Sequence, residues 1–415
     1  MAIIRPFRGY RPRKELAGVM ASRPYDVLSS EEARAEAGDN QYSFYHVIKS
    51  EIDFPIDADH YAPAIYEKAR TTLENWIGDN VMMQDSDPCI YIYAQTMWGR
   101  TQYGIMACAS VQDYLSNVIR KHELTRIEKE IDRKTHIRVT NFNCEPVFFA
   151  FRDHPEIDKI IDATIAGEQE YDFKSTDGIR HQLWVINHQD TVRKIETIFR
   201  DEIPFTYVAD GHHRTAAAAH VGEERRHANL SHTGNEEYNF FMAVHFPASQ
   251  LTIIDYNRLV TDLNGLTTDE FIQQLSGSFN VSLKGSNEYK PSQLHEFSLY
   301  IDGKWYALMA KPGTYNDQDP IDSLDVTVLS KYILDPVLDI KDLRQSRRID
   351  FVGGIRGLGE LKKRVDSGEM AAAFALFPVS MEQLMNIADS GNIMPPKTTW
   401  FEPKLRSGLV LHCLD

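Results

Sequence analysis

Apolar and polar positions repeat along the chain with two periods, and these periods mark out its elements. Residues 61–79 carry a helical period, with Ile65, Ala69, Leu73, Trp76 and Ile77 near one face. Upstream, Ser29-Ser30-Glu31-Glu32 predicts a helix start, a capping residue followed by acids in the first turn. The stretch 43–48 alternates as a strand would, and residues 89–94 and 103–111 read as two strands joined across Trp98-Gly99-Arg100. A short helix over 113–121 follows, then a densely charged stretch of helical pattern to Lys134.

From 147 to 247 strands and helices alternate. Residues 147–151, 181–187, 205–209 and 238–246 read as strands, with helices at 157–167 and 192–200. A further helix over 269–275 is capped by Thr267 or Thr268. Beyond about 280 the pattern turns to a hairpin, 297–301 and 305–309 around Asp302-Gly303, then a helix over 325–334 stopped by Pro336. Near the end, a strand from Ile349 runs through Gly353-Gly354 into a glycine loop and a helix. The fold class expected is α+β with a mixed-sheet core, in three segments: an α+β module at 1–110, a catalytic region with an insertion at 111–275, and an α+β module at 276–415 packed on the core.

Length and composition support this picture. The 415 residues are 42% hydrophobic and 25% charged, enough for a full core in a chain too long for one small domain. The net charge of −15 disfavours binding to nucleic acid and to anionic membranes. Cys89, Cys108, Cys144 and Cys413 are widely spaced, which forms neither a zinc knuckle nor a disulfide framework. With no signal-peptide core at its start and no membrane-length apolar run, the chain is expected in the cytoplasm.

The stretch Phe205-Thr206-Tyr207-Val208-Ala209-Asp210-Gly211-His212-His213-Arg214-Thr215 carries the strongest chemical signal. An apolar strand runs into a polar turn that opens an alanine-rich helix. The first turn of a helix has backbone N–H groups without intrahelical partners, and the helix dipole favours an anion there. Gly211 permits a sharp turn and a close approach to a ligand, and Asp210 can cap the helix or hold a divalent cation. An ordinary capped helix after a buried strand is the plain alternative.

Other groups are weaker signals. Glu123, next to His122 in a cationic segment, could accept a hydroxyl proton, or be a solvated surface carboxylate. His213 and His220 share a helix face without the spacing or third ligand of a metal site. The Gly353–Gly359 loop matches neither the dinucleotide fingerprint nor the P-loop. Lys397, Lys404 and Arg406 form a late cationic stretch, either a loop that closes over an anion or a charged surface.

The string Ala209-Asp210-Gly211-His212-His213-Arg214, with Arg23-Pro24-Tyr25-Asp26-Val27-Leu28, His122-Glu123-Leu124-Thr125 and Met394-Pro395-Pro396-Lys397-Thr398-Thr399, resembles a large bacterial family labelled as a domain of unknown function. That family in turn resembles the ParB/sulfiredoxin-type free serine kinases, which use ADP, ATP or pyrophosphate. The resemblance spans nearly the whole chain and implies a ParB/sulfiredoxin-like phosphate-binding module.

It also implies a phosphotransferase acting on free L-serine or phosphoserine. In that scheme Asp210 lies near magnesium, Gly211, His212, His213, Arg214 and Thr215 surround the phosphates, and Glu123 is the base beside His122. Asp26, Thr125, Arg133 and Lys397 are the substrate or lid candidates, and a homodimer is one assembly open to it. The stretch between Glu123 and Asp210 is longer than in the compact kinases, which implies the insertion. A ParB-like nucleotide-binding regulator and a metal-dependent phosphohydrolase are the alternative readings.

Overall fold

The computed structural model describes all 415 residues, from Met1 to Asp415. They form two compact units, Met1–Leu251 with Pro403–Asp415, and Thr252–Glu402. This division differs from the three segments suggested by the sequence. The boundary near 110 falls inside the first unit, at the end of the strand Arg100–Ser110, which pairs with Ile90–Met97 before it and Phe240–Pro247 after it. Cutting there would strip a ladder of its hydrogen bonds. The boundary near 275 falls inside the second unit, between the helix Thr268–Leu275 and the strand Phe279–Gly285.

The first unit is built on a nine-stranded mixed sheet, the α+β core expected. Across it run Ile119–Arg120, Thr206–Asp210, Val147–Phe151, Phe240–Pro247, Arg100–Ser110, Ile90–Met97, Arg180–Ile186 and Tyr171–Lys174, with Ile4–Arg5 paired to Arg100–Ser110. Thr206–Asp210 pairs parallel with Ile119–Arg120 and antiparallel with Val147–Phe151. One core packs the helices Pro155–Ile165 and Gln189–Glu202 onto the sheet through Ile157, Ile161, Ile195 and Phe199. A second packs the helix His212–Ala228 through Ala217, Ala218, Ala219 and Val221.

The alanine run lets that helix lie close. At Gly222 a Cβ would come within 2.5 Å of the Tyr238 carbonyl oxygen and 2.9 Å of a Val111 methyl, so only glycine fits.

A helical lobe of the same unit contains Ser30–Ala37, Tyr45–Ile48 and Pro63–Gly78. The first opens with the expected capping box between Ser29 and Glu32. Residues 43–48, expected as a strand, are instead largely helical. Tyr45, Val47 and Ile48 are all buried, so alternation carried no information about a solvent face. The helix expected over 113–121 covers only Val111–Leu115. Asn117 turns the chain at φ +60°, and Ile119–Arg120 join the sheet.

The chain end is knitted into this unit. Ser407 bridges to Ser22 and Leu411 to Tyr10, and His412–Cys413 pairs antiparallel with Phe142–Asn143.

The second unit has a six-stranded antiparallel sheet ordered Phe279–Gly285, Lys304–Ala310, Glu296–Ile301, Ala372–Leu376, Tyr256–Val260 and Ile349–Gly353. Its hairpin turns at Asp302-Gly303 with φ +48° and +74°, the tight turn read from that dipeptide. No helix in the chain is long and apolar enough to cross a membrane. All four cysteines are free thiols.

Candidate functional site

The strand Thr206–Asp210 ends in a register shift between Val208 and Asp210, and such a bulge re-aims the residue that follows it. Gly211 then adopts φ +91°, a left-handed conformation that places the first turn of the 17-residue helix His212–Ala228 against the strand end. No side chain caps this helix. Its leading N–H groups thus have neither an intrahelical acceptor nor a capping oxygen, at the positive end of the helix dipole.

Around this turn the structure gathers side chains distant in sequence. One Asp210 oxygen accepts from the Gly211 N–H at 3.0 Å, and the other receives the Lys404 ammonium at 3.1 Å and lies 4.0 Å from the Arg214 guanidinium. Burial alone would raise the Asp210 carboxyl. Lys404 and Arg214 outweigh it and hold the group below the ordinary carboxylate range. Arg214 is 6% exposed; it donates from Nη1 to the Pro146 carbonyl at 2.7 Å, and its Nε–H has no acceptor. Burial works against its charge, and Asp26, Glu145 and Asp210 more than restore it.

The histidines contribute N–H groups and lone pairs, not charge. The His122 ring packs edge-on against His212 with centroids 4.5 Å apart. Burial pushes His122 down to about 4 and His212 well below its ordinary value, so both are neutral at neutral pH. Neither nitrogen of His122, nor Nε2 of His212, has a hydrogen-bond partner. His213 is different: its Nε2 accepts from the Arg126 N–H at 2.9 Å. Thr215 turns its hydroxyl back onto the Gly211 carbonyl at 2.9 Å.

Glu123 is 3.9 Å from His212 Nδ1, with a side chain 41% exposed. The helix mouth is thereby roofed: Gly211, His212, Arg214 and Thr215 are buried beneath the 121–126 segment and Lys404. An entering anion must displace Lys404 from Asp210, move that segment, or both.

Of the remaining candidates, Asp26 and Arg133 line one cleft, and Thr125 and Lys397 lie outside its lining. Asp26 is exposed, and its carboxylate is the strongest charge acting on both His213 and Arg214. Thr125 donates to Glu130, whose other oxygen holds His220 at 2.6 Å, so the His213 and His220 side chains face different partners. Arg133 is buried between Asp132 and Glu145, with its guanidinium 4.0 Å over the Tyr25 ring. Lys397 belongs to the second unit, where its ammonium sits 5.8 Å over Tyr256 and its carbonyl accepts from Arg258. The late cationic stretch is therefore divided: Arg406 is buried on Asp177 and His181, and Lys404 alone of the three touches Asp210.

Glu145 had little sequence signal, and Lys404 was visible only as one of three late cations, without its partner. Glu145 receives the Tyr25 N–H at 3.1 Å and Arg133 at 3.3 Å, and only its place before a proline and an apolar strand set it apart. The role of Lys404 depends on a contact 194 residues away along the chain.

Asp210 provides a single carboxylate, and no group of three or more His, Cys, Asp or Glu side chains that could hold a metal forms in the chain. A magnesium ion held here would draw most of its oxygens from the phosphates of a ligand and would take the place of Lys404 on Asp210.

Residues 4–327 match the model of a family described as protein of unknown function, DUF1015. No curated protein matches the chain. Among solved structures, a free serine kinase in complex with AMP is 13% identical, with a TM-score of 0.34 over 72% of this chain and 86% of that one. A conserved hypothetical protein from Pyrococcus furiosus is 15% identical, with a TM-score of 0.34 over 73% of this chain and 93% of its own. SbnI with a C-terminal truncation, from Staphylococcus aureus, is 11% identical, with a TM-score of 0.36 over 72% and 82%.

Proposed function

The chain belongs to the DUF1015 family, whose description assigns no activity, and from the geometry of the helix mouth we propose that it transfers a phosphoryl group between a phosphoanhydride and the hydroxyl of free L-serine. One observation carries this reading. Four buried polar nitrogens, on His122, His212 and Arg214, lack partners beside an uncapped helix N-terminus. Leaving a buried polar atom unsatisfied costs about 1–3 kcal/mol, and the N–H donors among these nitrogens, Arg214 Nε–H and the one N–H that a neutral His122 carries, call for a ligand with acceptor oxygens. A phosphate supplies these oxygens, and Arg214, Lys404 and the helix dipole supply the positive field.

In the proposed step, the serine hydroxyl oxygen attacks the terminal phosphorus of the donor. A new P–O bond forms as the bond to the bridging oxygen breaks, the leaving phosphate or nucleotide takes the electron pair, and Glu123 accepts the hydroxyl proton. Gly211 to Thr215 hold the transferring group, and Arg214 balances the charge that develops on it. Asp210, with the donor's phosphates, would hold a magnesium ion, which would supply further charge neutralisation. Run backwards, the same site dephosphorylates phosphoserine. The similarity of the Asp210 to Arg214 string to the serine kinase motif supports serine as the acceptor, and pyrophosphate, ADP and ATP are the donors to test.

Purified protein incubated with magnesium, labelled serine and each donor in turn should form phosphoserine. Asp210→Ala and Glu123→Gln should each lower the rate by about a hundredfold or more, as expected for loss of a charge-organising or proton-accepting group. Full activity in both variants would overturn the roles. Phosphate release without phosphoserine would make the protein a phosphohydrolase, and nucleotide binding without turnover a regulator.

A further inference from the structure

Between the helical lobe and the helix Ile127–Thr140 lies a cleft of about 280 Å³. Its Lys and Arg side chains, Lys49, Lys129 and Arg133, equal in number its carboxylates, Asp26, Glu51 and Asp132. Four of these six satisfy one another. Lys49 lies 3.0 Å from Glu51, which also accepts from Ser30, and Arg133 lies 2.9 Å from Asp132, which also accepts from the Tyr66 hydroxyl. The remaining two, Asp26 and Lys129, make no hydrogen bond or ion pair through their side chains. The cleft thus presents one carboxylate and one ammonium without a direct hydrogen-bond or ion-pair partner over a charge-balanced floor.

That lining disfavours a polyanion, which would meet three carboxylates, and an apolar ligand, which would strand the charges. It complements a small molecule bearing one ammonium and one carboxylate. We propose that this cleft binds a free α-amino acid, with Lys129 on its carboxylate and Asp26 on its ammonium.

The proposal rests on the phosphotransfer reading for its consequence, because the cleft would then be the acceptor pocket beside the donor site. Two features connect them. Asp26 lines the cleft and also acts on His213 and Arg214 at the helix head. Charges alternate from the cleft floor to the mouth: Asp132, Arg133, Glu145, Arg214, Asp210 and Lys404. Arg133, Glu145 and Arg214 line one small cavity of about 20 Å³, room for about one water.

Calorimetric titration of the full chain with L-serine, ethanolamine and 3-hydroxypropionate separates the parts. Serine should bind at least tenfold more tightly than either half-molecule. Lys129→Met should remove the preference over ethanolamine, and Asp26→Asn the preference over 3-hydroxypropionate; both sites are solvent-accessible, so the fold should survive. No serine binding by the wild type, or serine affinity unchanged in both variants, overturns the proposal. Pyrophosphate titrated into the same samples tests the other site: serine bound in the cleft without any pyrophosphate binding keeps this assignment and rejects phosphotransfer.

Discussion

Burial at a single residue makes this protein's stability pH-dependent. His245 lies between Phe149 and Phe199 with both ring nitrogens unpartnered, and burial pushes it down to about 3. Its unfolded value is near 6.5, so between these values the unfolded chain binds more protons and stability falls as the pH falls. At about pH 5 this amounts to roughly 2 kcal/mol. His245→Phe should therefore gain roughly that much stability relative to wild type when denaturant unfolding at about pH 5 is compared with about pH 8. An equal difference at both values would contradict the buried neutral ring. At Arg214 the geometry of the guanidinium matters, because an ammonium cannot reproduce its Nε–H at the mouth together with its Nη1 bond to Pro146. Arg214→Lys should weaken pyrophosphate binding by about tenfold or more and lower stability by about 1–3 kcal/mol. Unchanged calorimetric affinity would remove the guanidinium from the site.

The site helix shows how far an element can be read in advance. Its start at Asp210-Gly211 and its alanine face were visible in sequence, because strand apolarity, a turn glycine and a run of small residues are all local signals. The neutrality of His122 and His212 was not visible, since it comes from burial in the folded chain, ring against ring. Lys404 as the partner of Asp210 and Glu145 as the link to Arg133 were hidden for a similar reason: both depend on contacts that no local period encodes. The short helix Tyr45–Ile48 was misread as a strand because a segment buried nearly all round has no polar face to set its period. Gly222 separates local propensity from packing. Propensity alone predicts that Gly222→Ala stabilises the helix by about 1 kcal/mol, but its Cβ would collide with the Tyr238 backbone. A loss of about 1–3 kcal/mol is expected in thermal unfolding, the usual range for overpacking, and a gain would show that the helix can move off Tyr238.

At the scale of the whole molecule, the segment Pro403–Asp415 returns to the first unit and completes it. It brings Lys404 to Asp210, buries Arg406 on Asp177 and His181, and adds His412–Cys413 to Phe142–Asn143. Deleting it should lower the unfolding midpoint sharply, by several kcal/mol of stability, because it strands buried charge and removes Leu409, Val410 and Leu411 from the core. A truncated chain with an unchanged midpoint would show that this segment is not structural. The proposed phosphotransfer requires the roofed head of the helix His212–Ala228 to open and take a phosphoanhydride. The most direct measurement of it is the amide nitrogen–proton spectrum of the labelled full chain titrated with pyrophosphate. The largest shifts should fall on Gly211, His212, His213 and Arg214, with smaller ones across 121–126 as that segment moves aside. Shifts confined to other regions, or no shifts at millimolar pyrophosphate, would contradict it.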